Sequence, residues 1–177
     1  MSDTQWPRFI VFQQSKVGLP HEYAGSVHAP DAELALMNAR DVFVRRPECI
    51  NLWVVRADKI FTKTLEELVL ASEWSDETET QHETETYHVF QKIGAKGVSK
   101  HVGDVEACSS HSALKAAMQA YPNKAVTVWW VFPARAVRQS TAQDVETMFA
   151  PAHEKMSFRD QAQFHTVATM KQLKSYE

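Results

Sequence analysis

Cysteine is scarce in this 177-residue chain, with Cys49 and Cys108 as its only two. Two thiols cannot build the disulfide framework that holds many small exported domains, so the expected setting is a reducing cytoplasm. No apolar run reaches the roughly 20 residues needed to cross a bilayer, and no membrane role is expected. The opening Met1-Ser2-Asp3-Thr4-Gln5 has neither the basic part nor the apolar part of a signal peptide. Positive charge is not in excess either: the formal net charge is -3 and no basic stripe is present, which argues against nucleic acid as a partner. The phosphate-cradling glycine loops, CxxC, HExxH and the GxSxG elbow are all missing. What is present is the composition of an ordinary folded protein, 44% hydrophobic and 23% charged, with five Trp and nine Phe to bury. A module of about 50 residues buries only part of its own surface. That many rings therefore points to modules packed on each other or on another protein.

The modules are visible as a repeat. Val11-Phe12-Gln13 returns as Val89-Phe90-Gln91, Gly25 as Gly103, Ala35-Leu36 as Ala113-Leu114, Ala39 as Ala117 and Phe43 as Tyr121, all 78 positions apart. The apolar run Leu52-Trp53-Val54-Val55-x-Ala57 then returns as Trp129-Trp130-Val131-Phe132-x-Ala134, with a slip of one residue. The shared order marks a duplication of residues 9–57.

Each copy reads as β-β-α-β. Residues 8–14 form a strand that is apolar on both faces, which calls for a sheet covered on both sides. The second strands are expected over 21–28 and 100–107, joined to the first by short turns as antiparallel hairpins. Pro30 and the acids after it open a helix running to about Val44, with Ala35, Ala39, Val42 and Phe43 on one face. In the second copy Ser109 or Ser110 caps the helix, and Ala113, Ala117, Ala120 and Tyr121 repeat that face. Pro47 and Pro122 stop the two helices, and third strands follow over 49–55 and 126–132. The expected fold class is two-layer α+β, with two such repeats packed as a pseudo-dimer and an extended C-terminal arm. The division is 6–61 for copy one, 62–85 for a linker with an acidic stretch, 86–138 for a diverged copy two, and 139–177 for the arm. Residues 57–61 are expected to form a helical turn, with another before Trp74. In the arm, Phe149, Phe158 and Phe164 are spaced as anchors on another surface.

Chemistry has little to stand on. His21 and His28 lie seven positions apart on one strand, which directs them to opposite faces. His82 and His88 straddle the end of the linker, with His88 on the first strand of copy two. No two histidines have the helical spacing of a metal helix, and no metal, cofactor or catalytic set is expected. Cys108 stands at a helix entrance, where a thiol pKa can fall, but Cys49 and Cys108 read as small packed residues. His21, His28, Arg40, Arg45 and Arg46 read instead as recognition groups, with the arginines near the helix C-terminus.

These residues also carry a family resemblance. Trp6-Pro7, Val11-Phe12, Gly18-Leu19, His21, Gly25-Ser26-x-His28-Ala29, Ala35-Leu36-x-Asn38-Ala39-Arg40-Asp41, Arg45-Arg46 and Trp53-Val54-Val55-x-Ala57-x-x-Ile60 resemble the PaaB family, the B-type subunits of phenylacetyl-CoA epoxidase. Phe149-x-Pro151-Ala152 and Phe164-x-Thr166-Val167 are similar to the family's C-terminal segment. Copy two keeps the outline but lacks the His-Ala pair and the Asn-Ala-Arg-Asp run. The resemblance implies a non-catalytic accessory subunit that bridges catalytic A-type and structural C-type subunits in phenylacetate catabolism. The overall reaction that the resemblance implies is an NADPH- and O2-dependent ring epoxidation. The di-iron centre and the flavin and iron-sulfur groups then belong to partner subunits and none to this chain. Ordinary members hold one module in about half this length and resemble a dimer-forming unit, so this chain is expected to be a fused pseudo-dimer, with self-association among its expected contacts. The alternatives are a free-standing homodimeric binding protein or enzyme with a site between modules, and a scaffold unrelated to oxygenases.

Overall fold

The structure is a computed structural model that describes residues 6–44, 49–70 and 83–144. Copy one folds as β1 (Arg8–Gln14), β2 (Glu22–His28), α1 (Ala32–Phe43) and β3 (Asn51–Arg56). A 3-10 turn (Ala57–Lys59) leads into β4 (Phe61–Thr64) and the short α2 (Leu65–Leu70). Copy two repeats the plan as β5 (Glu85–Ile93), β6 (Ser99–Ala107), α3 (Ser110–Ala120) and β7 (Val126–Pro133), then a 3-10 turn (Ala134–Ala136), β8 (Val137–Gln139) and one final helical turn, α4 (Ala142–Asp144).

The helix starts follow from side chains that satisfy the free amides of a first turn. Asp31 caps α1 by accepting the Leu34 amide at 2.8 Å. Pro30 therefore precedes the cap rather than opening the helix. Ser109 caps α3 and forms a reciprocal box with Ser112. The buried faces are Ala35, Leu36 and Ala39, and Ala113, Leu114 and Ala117. Val42 and Ala120, expected on those faces, are exposed. The stripe is centred on the leucine side, where the short alanines let the helix lie close to the sheet and Leu fills the gap. Helix α1 ends at Phe43, and Pro47 lies outside the described residues.

Among the described residues all strand pairs are antiparallel, in the order β4-β7-β5-β6-β2-β1-β3-β8. The order is a palindrome about the β6–β2 seam, where Glu22 opposes Lys100 and the His101 amide donates to the His21 carbonyl at 2.8 Å. Its ends are exchanged. Strand β4 follows copy one but pairs with β7, Phe61 opposite Val131; β8 follows copy two but pairs with β3, Val55 opposite Val137. Each copy lends its closing strand to the other, the isologous pattern of a two-fold dimer. The segment after residue 61, expected as linker, thus contributes a sheet edge. The first residues of the expected arm, 139 and 140, finish the other edge.

Among the described residues, three apolar clusters result. One lies under α1, around Phe9, Val11, Val27, Leu36, Leu52 and Val54. The second lies under α3, around Tyr87, Val89, Leu114, Trp129 and Val131. The third unites the opposite sheet faces of both copies through Ile10, Phe12, Trp53, Val55, Phe90 and Phe132. Phe12 and Phe90, the same position in the two copies, meet with ring centroids 4.2 Å apart. Burying a phenyl ring is worth about 1.5–3 kcal/mol, so this shared layer is a main reason the copies stay together. The expected cover for the free apolar face is the other copy.

Candidate functional site

Both copies carry the same irregularity in the second strand. Opposite β1, Gly25 pairs with Val11 and Tyr23 with Phe12, so Ala24 is an extra residue; opposite β5, Gly103 pairs with Val89 and His101 with Phe90, so Val102 is extra. A bulge shifts the alternation of side chains by one. His101 and Asp104, three positions apart, would point to opposite faces of a regular strand, but here they share one. His88, directly opposite Asp104 on β5, faces the same way. The three side chains gather at the rim of the aromatic layer between the copies.

Their geometry is tight. His88 Nδ1 donates to Asp104 Oδ1 at 2.6 Å and His101 Nε2 donates to the same oxygen at 2.9 Å. Side-chain exposure is 14% for His88, 19% for His101 and 46% for Asp104, so the imidazoles form the floor and the carboxylate opens to solvent. Burial pulls the Asp104 carboxyl upward, but the hydrogen bonds from both imidazoles outweigh it and hold the group below the ordinary aspartate range. Burial depresses His101, against the opposing pull of Asp104. Among the described residues this is a set of three ligand-type groups with donor atoms all within 4.8 Å of one another.

Copy one supplies the wall. Trp53 stacks on His21 with centroids 3.8 Å apart and reaches His88 at 4.6 Å and His101 at 5.5 Å. His21 Nε2 donates to Asn51 Oδ1 at 3.1 Å, and Asn51 Nδ2 donates to the Ser140 carbonyl at 3.2 Å. His21 is only 7% exposed, and burial, with the neighbouring His101 and His88, lowers its pKa to about 4 despite the Asn51 bond. Trp53 Nε1 is buried and has no hydrogen-bond partner among the described residues.

The expected recognition groups scatter. His21 is sealed in the seam between copies and is not an outer surface group. His28 shares a sheet face with His21, contrary to the opposite-face expectation, because the Ala24 bulge restores the parity. It lies at the other end of β2, where Nδ1 donates to the Trp6 carbonyl at 2.8 Å. Arg40 is on α1 and grips its neighbour Asp41, with Nη2 2.6 Å from Oδ1. Arg45, Arg46, Phe149, Phe158 and Phe164 lie outside the described residues. Cys49 is buried, and burial raises its thiol to about 11, while Cys108 is half-buried beside Ser112. Sequence reasoning did not reach the His88-His101-Asp104 set: His101 and Asp104 would alternate on a regular strand, and nothing in their spacing joins them to His88 on β5. The glycines at 25 and 103, both with positive φ, were the available signal of a bulge.

Comparison with known proteins agrees with the two-copy plan. The family model described as phenylacetic acid degradation B matches twice, over residues 5–85 and 83–171. The chain belongs to this family. It is 46% identical over 67 residues to the B-type subunit of 1,2-phenylacetyl-CoA epoxidase from Escherichia coli (strain K12), a match spanning 38% of this chain and 70% of that protein. No solved structure matches. The double match fits the palindromic sheet: two copies of one family module in this chain fold on the same plan. No helix among the described residues is long and apolar enough to cross a membrane.

Proposed function

We propose that this chain is a non-catalytic bridging subunit of a multicomponent phenylacetyl-CoA oxygenase, working in phenylacetate catabolism in the cytoplasm. The observation that carries the reading is the exchange of β4 and β8 between two family modules, which makes one chain the equivalent of a dimer with two opposed outer faces. A bridge needs two attachment faces, and a pseudo-two-fold body supplies them. The chemistry is assigned to partners: a catalytic A-type and a structural C-type subunit, with the di-iron, flavin and iron-sulfur groups outside this chain. The space between the modules is filled by Phe12, Phe90 and Phe132, all fully buried, which weighs against a substrate cavity there. The outer contact residues proposed are His28, Arg40, Arg45, Arg46, Phe149, Phe158 and Phe164.

Co-purification with an A–C pair tests this reading. The expected result is a stable complex whose NADPH-dependent epoxidation falls at least tenfold when the chain is omitted. Arg45→Ala combined with Arg46→Ala should weaken capture of the pair; an unchanged affinity removes those two from the contact surface. A chain that neither binds the pair nor changes its turnover ends the proposal.

A further inference from the structure

We propose that His88, His101 and Asp104 form a binding site for a single divalent transition metal of the zinc class, built into copy two only. Two imidazoles and one carboxylate are a donor set suited to such ions, and an open position remains on the exposed side of Asp104. Metal–donor bonds of about 2.0–2.1 Å place tetrahedral donors roughly 3.3 Å apart. The two nitrogens now lie 2.6 and 2.9 Å from the shared oxygen, so an ion entering between them needs only small side-chain movements. The ion takes the place of the two bridging protons, and each imidazole then carries its proton on the far nitrogen.

The surroundings support the assignment independently. The Asp104 carbonyl accepts the Tyr121 hydroxyl at 3.0 Å, which ties down the strand that carries two of the ligands. Trp53 and His21 wall the set from copy one, with the Trp53 ring 4.6 Å from that of His88. The duplication supplies a control within the same molecule. The positions 78 residues earlier are Ile10, Tyr23 and Ser26, on the equivalent strands β1 and β2 with the equivalent bulge and no ligand set. The site is thus a property of side chains placed on one copy, and it stands whether or not the chain is an oxygenase subunit.

The test is titration of the full-length, tag-free, chelator-treated protein with Zn2+, by calorimetry, and with Co2+, by visible absorption. One equivalent should bind, and the cobalt band should have nitrogen–oxygen character. Asp104→Asn keeps the side-chain shape, and His88→Ile and His101→Tyr install the residues copy one carries at these places. Each should weaken binding at least tenfold with circular dichroism unchanged, whereas His111→Ala should leave it intact. Failure to bind below millimolar metal overturns the proposal. So does binding that survives both Asp104→Asn and His101→Tyr, since the ion would then be held elsewhere.

Discussion

The two copies share a backbone plan and differ in what surrounds one tryptophan. Trp53 of copy one lies against His21, His88 and His101. Its counterpart Trp130 meets Tyr23 at 5.3 Å and Phe12 at 6.1 Å. The residues that correspond to His21, His88 and His101 are Ser99, Ile10 and Tyr23. In an assembly of identical subunits both nests would be the same. Two copies in one chain can differ, and here one nest holds Ile10, Tyr23, Ser26 and Ser99 while the other holds three imidazoles and a carboxylate. The lesson is that the layer joining the copies is kept, while the rim beside it is where the copies diverge.

The strongest challenge to that comparison is at its common centre. Phe12→Ala and Phe90→Ala should each cost about 3–5 kcal/mol in urea unfolding, because each empties a fully buried ring position. The double variant should cost less than the sum by more than about 0.5 kcal/mol, since the rings touch. Strict additivity would show that the copies do not share one core.

A smaller effect separates the two nests by pH. The His21 pKa in the folded chain, about 4, lies below its ordinary 6.5. The unfolded chain therefore takes up a proton first as pH falls. The stabilisation is complete above pH 6.5 and is lost progressively toward pH 4, up to about 3 kcal/mol. His101, lowered as well, acts in the same sense. His21→Ser, which installs the residue of copy two, should flatten that slope in chelator-treated protein. An unaltered pH profile would mean that His21 does not titrate differently on folding.

The smallest expected effect concerns the bulges. A methyl on Gly25 would overlap the Phe43 ring, and one on Gly103 would overlap the Tyr121 ring and hydroxyl. Gly25→Ala and Gly103→Ala should each lose about 1–3 kcal/mol by thermal or urea unfolding. Tyr121→Phe should return part of the loss for Gly103→Ala, because it removes the overlapping oxygen. Phe43 has no such atom to give up. No rescue would show that the hydroxyl oxygen is not the atom that carries the cost.

Much of the fold was legible. Spacing 78 residues apart exposed the duplication, the two-sided apolarity of β1 called for cover on both faces, and Ser109 was one of two candidate caps for the second helix, while the first begins one residue later than Pro30 suggested, at the Asp31 cap. The strand exchange was not legible. Phe61–Thr64 is short, mixed in polarity and followed by helix, and nothing in it names β7 as its partner. Of the site, His88 was placed on its strand, but its union with His101 and Asp104 depends on one bulged residue.

The amino-acid sequence by itself determined the local elements, the twofold repeat and the family, because caps, periodicity and spaced identities act over a few residues or repeat in plain order. Only the tertiary structure decided which faces meet. The β4 and β8 exchange depends on edges far apart in the chain, and the bulge at Val102 turns a strand's alternation by one residue. That single turn decides whether His101 and Asp104 point apart or converge on His88.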